Sequence, residues 1–149
     1  MNNYSFIVDA SVYAPLIATL GKKLLRVAKI MNLTILDLTI YETCNAFWKE
    51  CIKLKKIDRE TALQACDLSV KFTKFIKIFN ISQLNLSVAL NIALRHNITL
   101  YDASYIALAK ELNQPIASND KDIILIAPKY GVKVVDLNNF IELINNIIS

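Results

Sequence analysis

Two glycines and three prolines in 149 residues leave this chain few places to turn tightly. A sandwich or barrel of many short strands needs a turn signal about every ten residues. An all-β fold is therefore excluded, and long regular elements are expected. Hydrophobic residues make up 54% of the chain and charged residues 20%, which excludes disorder and supplies apolar surface for a core. The length suits one domain spanning residues 1–149, at roughly 100–200 residues per domain.

Short β-prone runs punctuate the helical patterns: residues 5–8 (SFIV), 33–36 (LTIL), 79–81, 115–118 (PIAS) and 132–135 (VKVV). Between them the spacing predicts helices over 12–30, 38–56, 59–77 with Asp58 as cap, 85–95, 100–112, 123–127 and 137–148. In the 38–56 helix, Ile40, Cys44, Phe47, Trp48, Cys51 and Leu54 share one side, opposite Glu42, Asn45, Lys49, Lys53 and Lys56. Thr99 and Asp102 read as a capping box. Strands of about four residues alternating with helices indicate an α/β sandwich with a parallel sheet.

Seventeen basic residues less thirteen acidic ones leave +4, the right sign for a polyanionic partner but too little to identify one. The most apolar opening stretch, residues 6–20, is broken by Asp9, Ser11 and Thr19 and falls short of the ~20 residues of a membrane span. No Lys or Arg precedes it, so it does not read as a signal peptide either. Cys44, Cys51 and Cys66 are odd in number and lack a C-x-x-C pair, which argues against zinc or a disulfide framework and for reduced thiols in a cytoplasm.

In an open parallel sheet, chemistry gathers beyond the carboxyl ends of the strands. Asp9 follows the first strand, Asp120 follows PIAS, Asp102 opens the helix before PIAS, and Glu42 lies one turn into the helix after the second strand. Each Asp also stands at a helix start, where an acid serves as a cap, and Glu42 alone fits a solvated helix face. Jointly they point to a pocket of carboxylates that repel one another unless protonated or bridged by a hard cation. Mg²⁺ or Mn²⁺ fits such oxygen ligands and supports phosphodiester hydrolysis without a nucleophilic side chain. None with an activating partner is on offer, since His96 is the only histidine and no Ser-His-acid or Cys-His set can be assembled without it.

The runs Phe6-Ile-Val-Asp9-Ala-Ser11, Tyr41-Glu42-Thr-Cys-Asn45, Thr99-Leu-Tyr-Asp102-Ala-Ser-Tyr105, Pro115-Ile-Ala-Ser-Asn-Asp120 and Gly131-Val-Lys-Val-Val135 fall in a familiar order. From residue 5 to about 140 the chain resembles the PIN-domain ribonucleases, in particular the VapC-like toxins of toxin–antitoxin pairs. The resemblance implies a three-layer α/β/α sandwich with a short parallel sheet, and a Mg²⁺- or Mn²⁺-dependent endoribonuclease. It implies an acidic quartet of Asp9, Glu42, Asp102 and Asp120, with Ser11 and Asn45 in support. Asp9, Asp102 and Asp120 would hold the metal, and Glu42 would orient the attacking water or bind a second ion. Where the family shows Thr-x-Asp this chain has Ser118-Asn-Asp120, and Asp122 is a further acid that could replace or assist Asp120. A homodimer and an antitoxin groove are usual for the resembling family. Apolar Leu16, Ile17, Leu20 and Leu24 are the expected exposed face for them.

Three basic rows are candidate paths for an RNA backbone: Lys49, Lys53 and Lys56; Lys71, Lys74 and Lys77; Lys22, Arg26 and Lys29. The first shares a helix with Glu42, so Lys49 and Lys53 are the favoured RNA contacts, although any one row also fits a solvated face. Tyr101 and Tyr105 flank Asp102; both could stack on splayed bases, with Tyr105 fitting the core better. Two other readings compete. One is a catalytically silent PIN-like module that binds RNA or protein, which retention of all four acids opposes. The other is a different acidic-pocket protein, a receiver or a haloacid-dehalogenase-like phosphatase; the latter wants an acid where this chain has Ser11.

Overall fold

The computed structural model describes residues 4–149. Its elements run β1 (Tyr4–Val8), α1 (Ala10–Leu20), α2 (Leu24–Ile30), β2 (Met31–Leu36), α3 (Asp37–Ile52), α4 (Arg59–Phe72) and β3 (Lys77–Phe79). Then follow α5 (Leu86–His96), α6 (Leu100–Leu112), β4 (Ile116–Ala117), α7 (Lys121–Ile126), β5 (Val134–Val135) and α8 (Leu137–Ile148). All strand pairings are parallel, in the order β3-β2-β1-β4-β5. β1 is central, with Ile7 opposite both Thr34 of β2 and Ile116 of β4.

Parallel sheets are covered on both faces, and side chains alternate along each strand. Phe6 and Val8 enter one core with Val12, Leu16, Leu33, Ile35, Phe47, Phe72 and Phe140, so α1–α4 and α8 cover that face. Ile7, Leu36 and Ile116 enter the other with residues of α5, α6 and α7. Phe6 and Phe140 meet edge-on with ring centroids 5.0 Å apart, an arrangement worth ~0.5–1.5 kcal/mol beyond the burial itself. The expected three-layer α/β/α sandwich is what forms.

Several expectations need correction. The 12–30 helix is two, because Gly21 adopts φ +49 and a 3-10 turn over Gly21–Lys23 separates them; glycine reaches that region without steric cost. α4 stops at Phe72, which moves Lys74 into a 3-10 turn and Lys77 into β3. Likewise α3 stops at Ile52, so Lys56 lies outside the helix that carries Lys49. Leu16, Ile17, Leu20 and Leu24 are buried in the core, not exposed, because α1 packs against α3 and α4 and α2 against α8 and β2.

The cysteine reading is also overturned. Cys44 of α3 and Cys66 of α4 form a disulfide with Cα atoms 5.1 Å apart, and Cys51 stays free. The two helices pack face to face, and a separation of 22 residues carries no motif that would announce the pairing.

Candidate active site

Strand order reverses at β1: β2 and β3 lie to one side, β4 and β5 to the other. Such a switch point opens a crevice beyond the strand ends, where ligands bind. Asp9 leaves the end of β1 and Ser118–Asp120 leaves the end of β4, so both approach this crevice.

Asp9 occupies the N-cap position of α1 but makes no side-chain cap bond. Its carboxylate instead accepts hydrogen bonds from the Ser11 hydroxyl at Oδ1 and the Ser118 hydroxyl at Oδ2, both 2.6 Å. Capping therefore does not explain this buried acid, which is only 4% exposed. Burial pushes its pKa up to about 6 against the opposing pull of the two hydroxyls, and the charges of Asp120 and Glu42 add to the rise. Ser11 also accepts from the Asn119 backbone N–H at 2.8 Å, and Ser118 from that of Asp120 at 2.9 Å. The two serines thus fix Asp9 and the loop after β4 as one unit.

Asp102 lies in the first turn of α6, whose cap is Thr99. The Thr99 hydroxyl accepts from the Asp102 N–H and donates to Asp102 Oδ2 at 3.0 Å. Burial pushes Asp102 up to about 6, with further rises from the charges of Asp120, Asp122 and Glu42. Asp120 does cap α7: its Oδ1 accepts from the N–H groups of Asp122 and Ile123. Carboxylate oxygens of Asp102, Asp120 and Asp122 lie within 4.8 Å of one another. Asp122 therefore lies beside Asp120 in the same group, a placement in which it could assist Asp120.

Glu42 is outside that trio but inside its field: burial raises its pKa, a bond from Tyr105 opposes the rise, and the charge of Asp120 adds to it. The Tyr105 hydroxyl sits 2.8 Å from Glu42 Oε1 and 2.7 Å from Thr39 Oγ1. Thr39 in turn accepts from the Leu36 N–H. Burial and the neighbouring Glu42 charge drive the Tyr105 phenol well above its ordinary pKa, so it stays a donor. Sequence reasoning assigned Tyr105 to the core and overlooked this bond. The available signal was that a buried tyrosine needs a partner for its hydroxyl.

Asn45 is exposed and makes no side-chain hydrogen bond among the described residues, contrary to the expectation that it would hold a carboxylate. One helical turn separates it from Glu42, whose hydrogen bond comes from Tyr105 instead. Lys49 and Lys53 are exposed, and Lys53 Nζ lies 5.7 Å from the Trp48 ring centroid. In the second row, Lys71 is paired with Asp67 at 2.7 Å. In the third, Arg26 is bonded to the Ile148 carbonyl.

Carboxylates from distant stretches of the chain thus gather where a parallel sheet reverses its order, an all-oxygen donor set of the kind a hard divalent cation accepts. Residues 6–129 match the model of the PIN domain family, and the chain belongs to that family. Among its relatives is the Ribonuclease VapC3 of Pyrobaculum aerophilum, 29% identical over 97 residues, covering 65% of this chain and 72% of the relative. Another is the Exonuclease VapC9 of the same organism, 32% identical over 120 residues and covering 80% and 83%. The solved structure of PAE2754 from Pyrobaculum aerophilum superposes with a TM-score of 0.72 at 26% identity, covering 96% of this chain and 90% of that one. A PilT N-terminus domain protein from the hyperthermophilic archaeon Sulfolobus solfataricus P2 shares the fold, with a TM-score of 0.52 at 22% identity over 95% and 92%.

Proposed function

We propose that this chain, as a single domain over residues 1–149, is a VapC-like toxin that hydrolyses RNA phosphodiester bonds internally with the aid of Mg²⁺ or Mn²⁺. One observation carries the reading: Asp102, Asp120 and Asp122 share a space under 5 Å across, and Asp9 and Asp102 are pushed up to about 6 by burial first and then by the charges of Asp120 and Glu42. A set of purely oxygen ligands with unneutralised charge fits a hard divalent ion. Asp9, Asp102 and Asp120 would hold it, with Asp122 as an added ligand. When bound, such an ion supplies an acidified water and neutralises charge at the phosphate oxygens.

The remaining roles fall to the protein. Ser11 and Ser118 hold both oxygens of Asp9 in one orientation. Tyr105 keeps Glu42 in place to orient the attacking water and take up its proton. Asn45, exposed on the same helix, faces the strand that enters the site, and Lys49 and Lys53 contact its phosphates. A cognate antitoxin and a homodimer complete the reading, and the name Ribonuclease VapC3 borne by a relative supports RNA as substrate. Among the described residues no helix is long and apolar enough to cross a membrane. A cytoplasmic location belongs to the same reading.

The test uses a circular single-stranded RNA, which an end-trimming enzyme cannot attack. In Mg²⁺ the purified protein should open the circle, and Asp9→Asn should lower the rate by at least about 100-fold with an unchanged circular dichroism spectrum. A D9N protein that opens the circle at the native rate sinks the assignment.

A further inference from the structure

Beside the acids lies an apolar cavity of about 360 Å³ between the starts of α3 and α6, lined by Asp37, Leu38, Tyr41, Ile81, Leu100 and Tyr101 among others. Tyr41 directly precedes Glu42 and Tyr101 directly precedes Asp102. Both rings are largely in solvent, 82% and 58% exposed. Consecutive helix residues are turned by about 100°, so the cavity adjoins the acidic site without sharing its side chains. The one carboxylate in its wall, Asp37, accepts at Oδ1 from the N–H groups of Leu38 and Ile81, while Oδ2 has no partner among the described residues.

Resting on the nuclease reading, we propose that this cavity takes the base next to the scissile phosphate, stacked against Tyr41 and Tyr101, and that Asp37 selects guanine. Single-stranded RNA is read by aromatic side chains that stack on splayed bases and by polar groups that meet base edges. An ionised carboxylate only accepts hydrogen bonds. Guanine alone presents two adjacent donors, N1–H and the N2 amino group, on its pairing edge. Adenine and cytosine set an acceptor beside their amino group, and uracil flanks its single N–H with two carbonyls, so each would turn lone pairs toward Asp37. An aliphatic side chain from a protein partner would fill the apolar walls but strand Oδ2 without a donor, which is costly.

The experiment measures kcat/KM in Mg²⁺ on short single-stranded RNAs that differ in one base at each position around the cut. The native protein should prefer guanine at one adjacent position by about 10-fold or more. Asp37→Asn keeps the Oδ1 acceptor for Leu38 and Ile81 but adds a donor, and should erase that preference by bringing kcat/KM on the guanine substrate and on the others together. Tyr41→Ala and Tyr101→Ala should each raise KM for every sequence by about 10-fold. Cleavage with no base preference at either adjacent position overturns the proposal, as does a guanine preference that survives D37N. KM unchanged in both tyrosine variants also overturns it and leaves the cavity to a protein segment. Failure of the native protein to cut any RNA would instead bring down the nuclease reading together with this one.

Discussion

Two side chains decide whether the acidic edge is chemistry or capping. Asp9 stands at a helix start yet spends its carboxylate on two hydroxyls, whereas Asp120 caps α7 with one oxygen and keeps the other. Asp9 and Asp102 both rise from 3.8 to about 6, so the folded chain binds their protons more tightly than the unfolded chain does. Stability then falls as pH rises from about 4 to about 6 and stays lower above that window. Asp102→Asn should therefore raise the melting temperature in EDTA at pH 7.5 and leave it nearly unchanged at pH 4, as read by scanning calorimetry. Asp102 is partly exposed, so solvent screening reduces the gain to ~1 kcal/mol, roughly 3 °C for a chain of this size. Tyr105→Phe removes the only side-chain donor to Glu42 among the described residues. It should lower kcat by about 10-fold with KM little changed, in single-turnover RNA cleavage. The acidic edge was legible, since Asp9 follows β1, Asp120 follows β4 and Asp102 opens α6. Tyr105 was not, because periodicity reports which side a residue faces and says nothing about what its hydroxyl touches.

At the scale of elements, strands and long helices were read within a few residues, while their ends were not. Gly21 breaks α1 from α2 because its backbone takes a left-handed turn, whereas the apolar spacing runs on across it. The same limit misplaced Lys56 and Lys77, which leaves Lys49 in the last turn of α3 and Lys53 at its C-cap as the basic pair nearest to Glu42 along the chain. Lys49→Glu with Lys53→Glu should weaken RNA binding and reduce the slope of log K against log salt by about 2, measured by fluorescence anisotropy in EDTA; an unchanged slope would assign the phosphate track elsewhere. The disulfide escaped notice because it depends on how α3 and α4 face each other. Closing a loop of 22 residues is worth about 3 kcal/mol. A reducing agent should accordingly lower the melting temperature by several degrees, and thiol titration of the unfolded chain should find one free group before reduction and three after.

On the scale of the whole molecule, the sheet order β3-β2-β1-β4-β5 makes one site out of distant stretches of chain. Mg²⁺ should bridge acids that otherwise repel, so it should raise the melting temperature at pH 7.5 and do so much less at pH 5, where Asp9 and Asp102 hold protons. Strand order was the one part of the architecture that had to be assumed, since local spacing carries no record of which strands become neighbours. That order has a consequence for how the protein is made. β1 and Asp9 leave the ribosome early, but Ser118, which clamps Asp9, and Asp120 and Asp122, which complete the acidic group, are translated late. A half-finished polypeptide thus carries Asp9 and Glu42 without Asp102, Asp120 and Asp122, so a nuclease built this way gains its full set of acids only once most of its own message has been read.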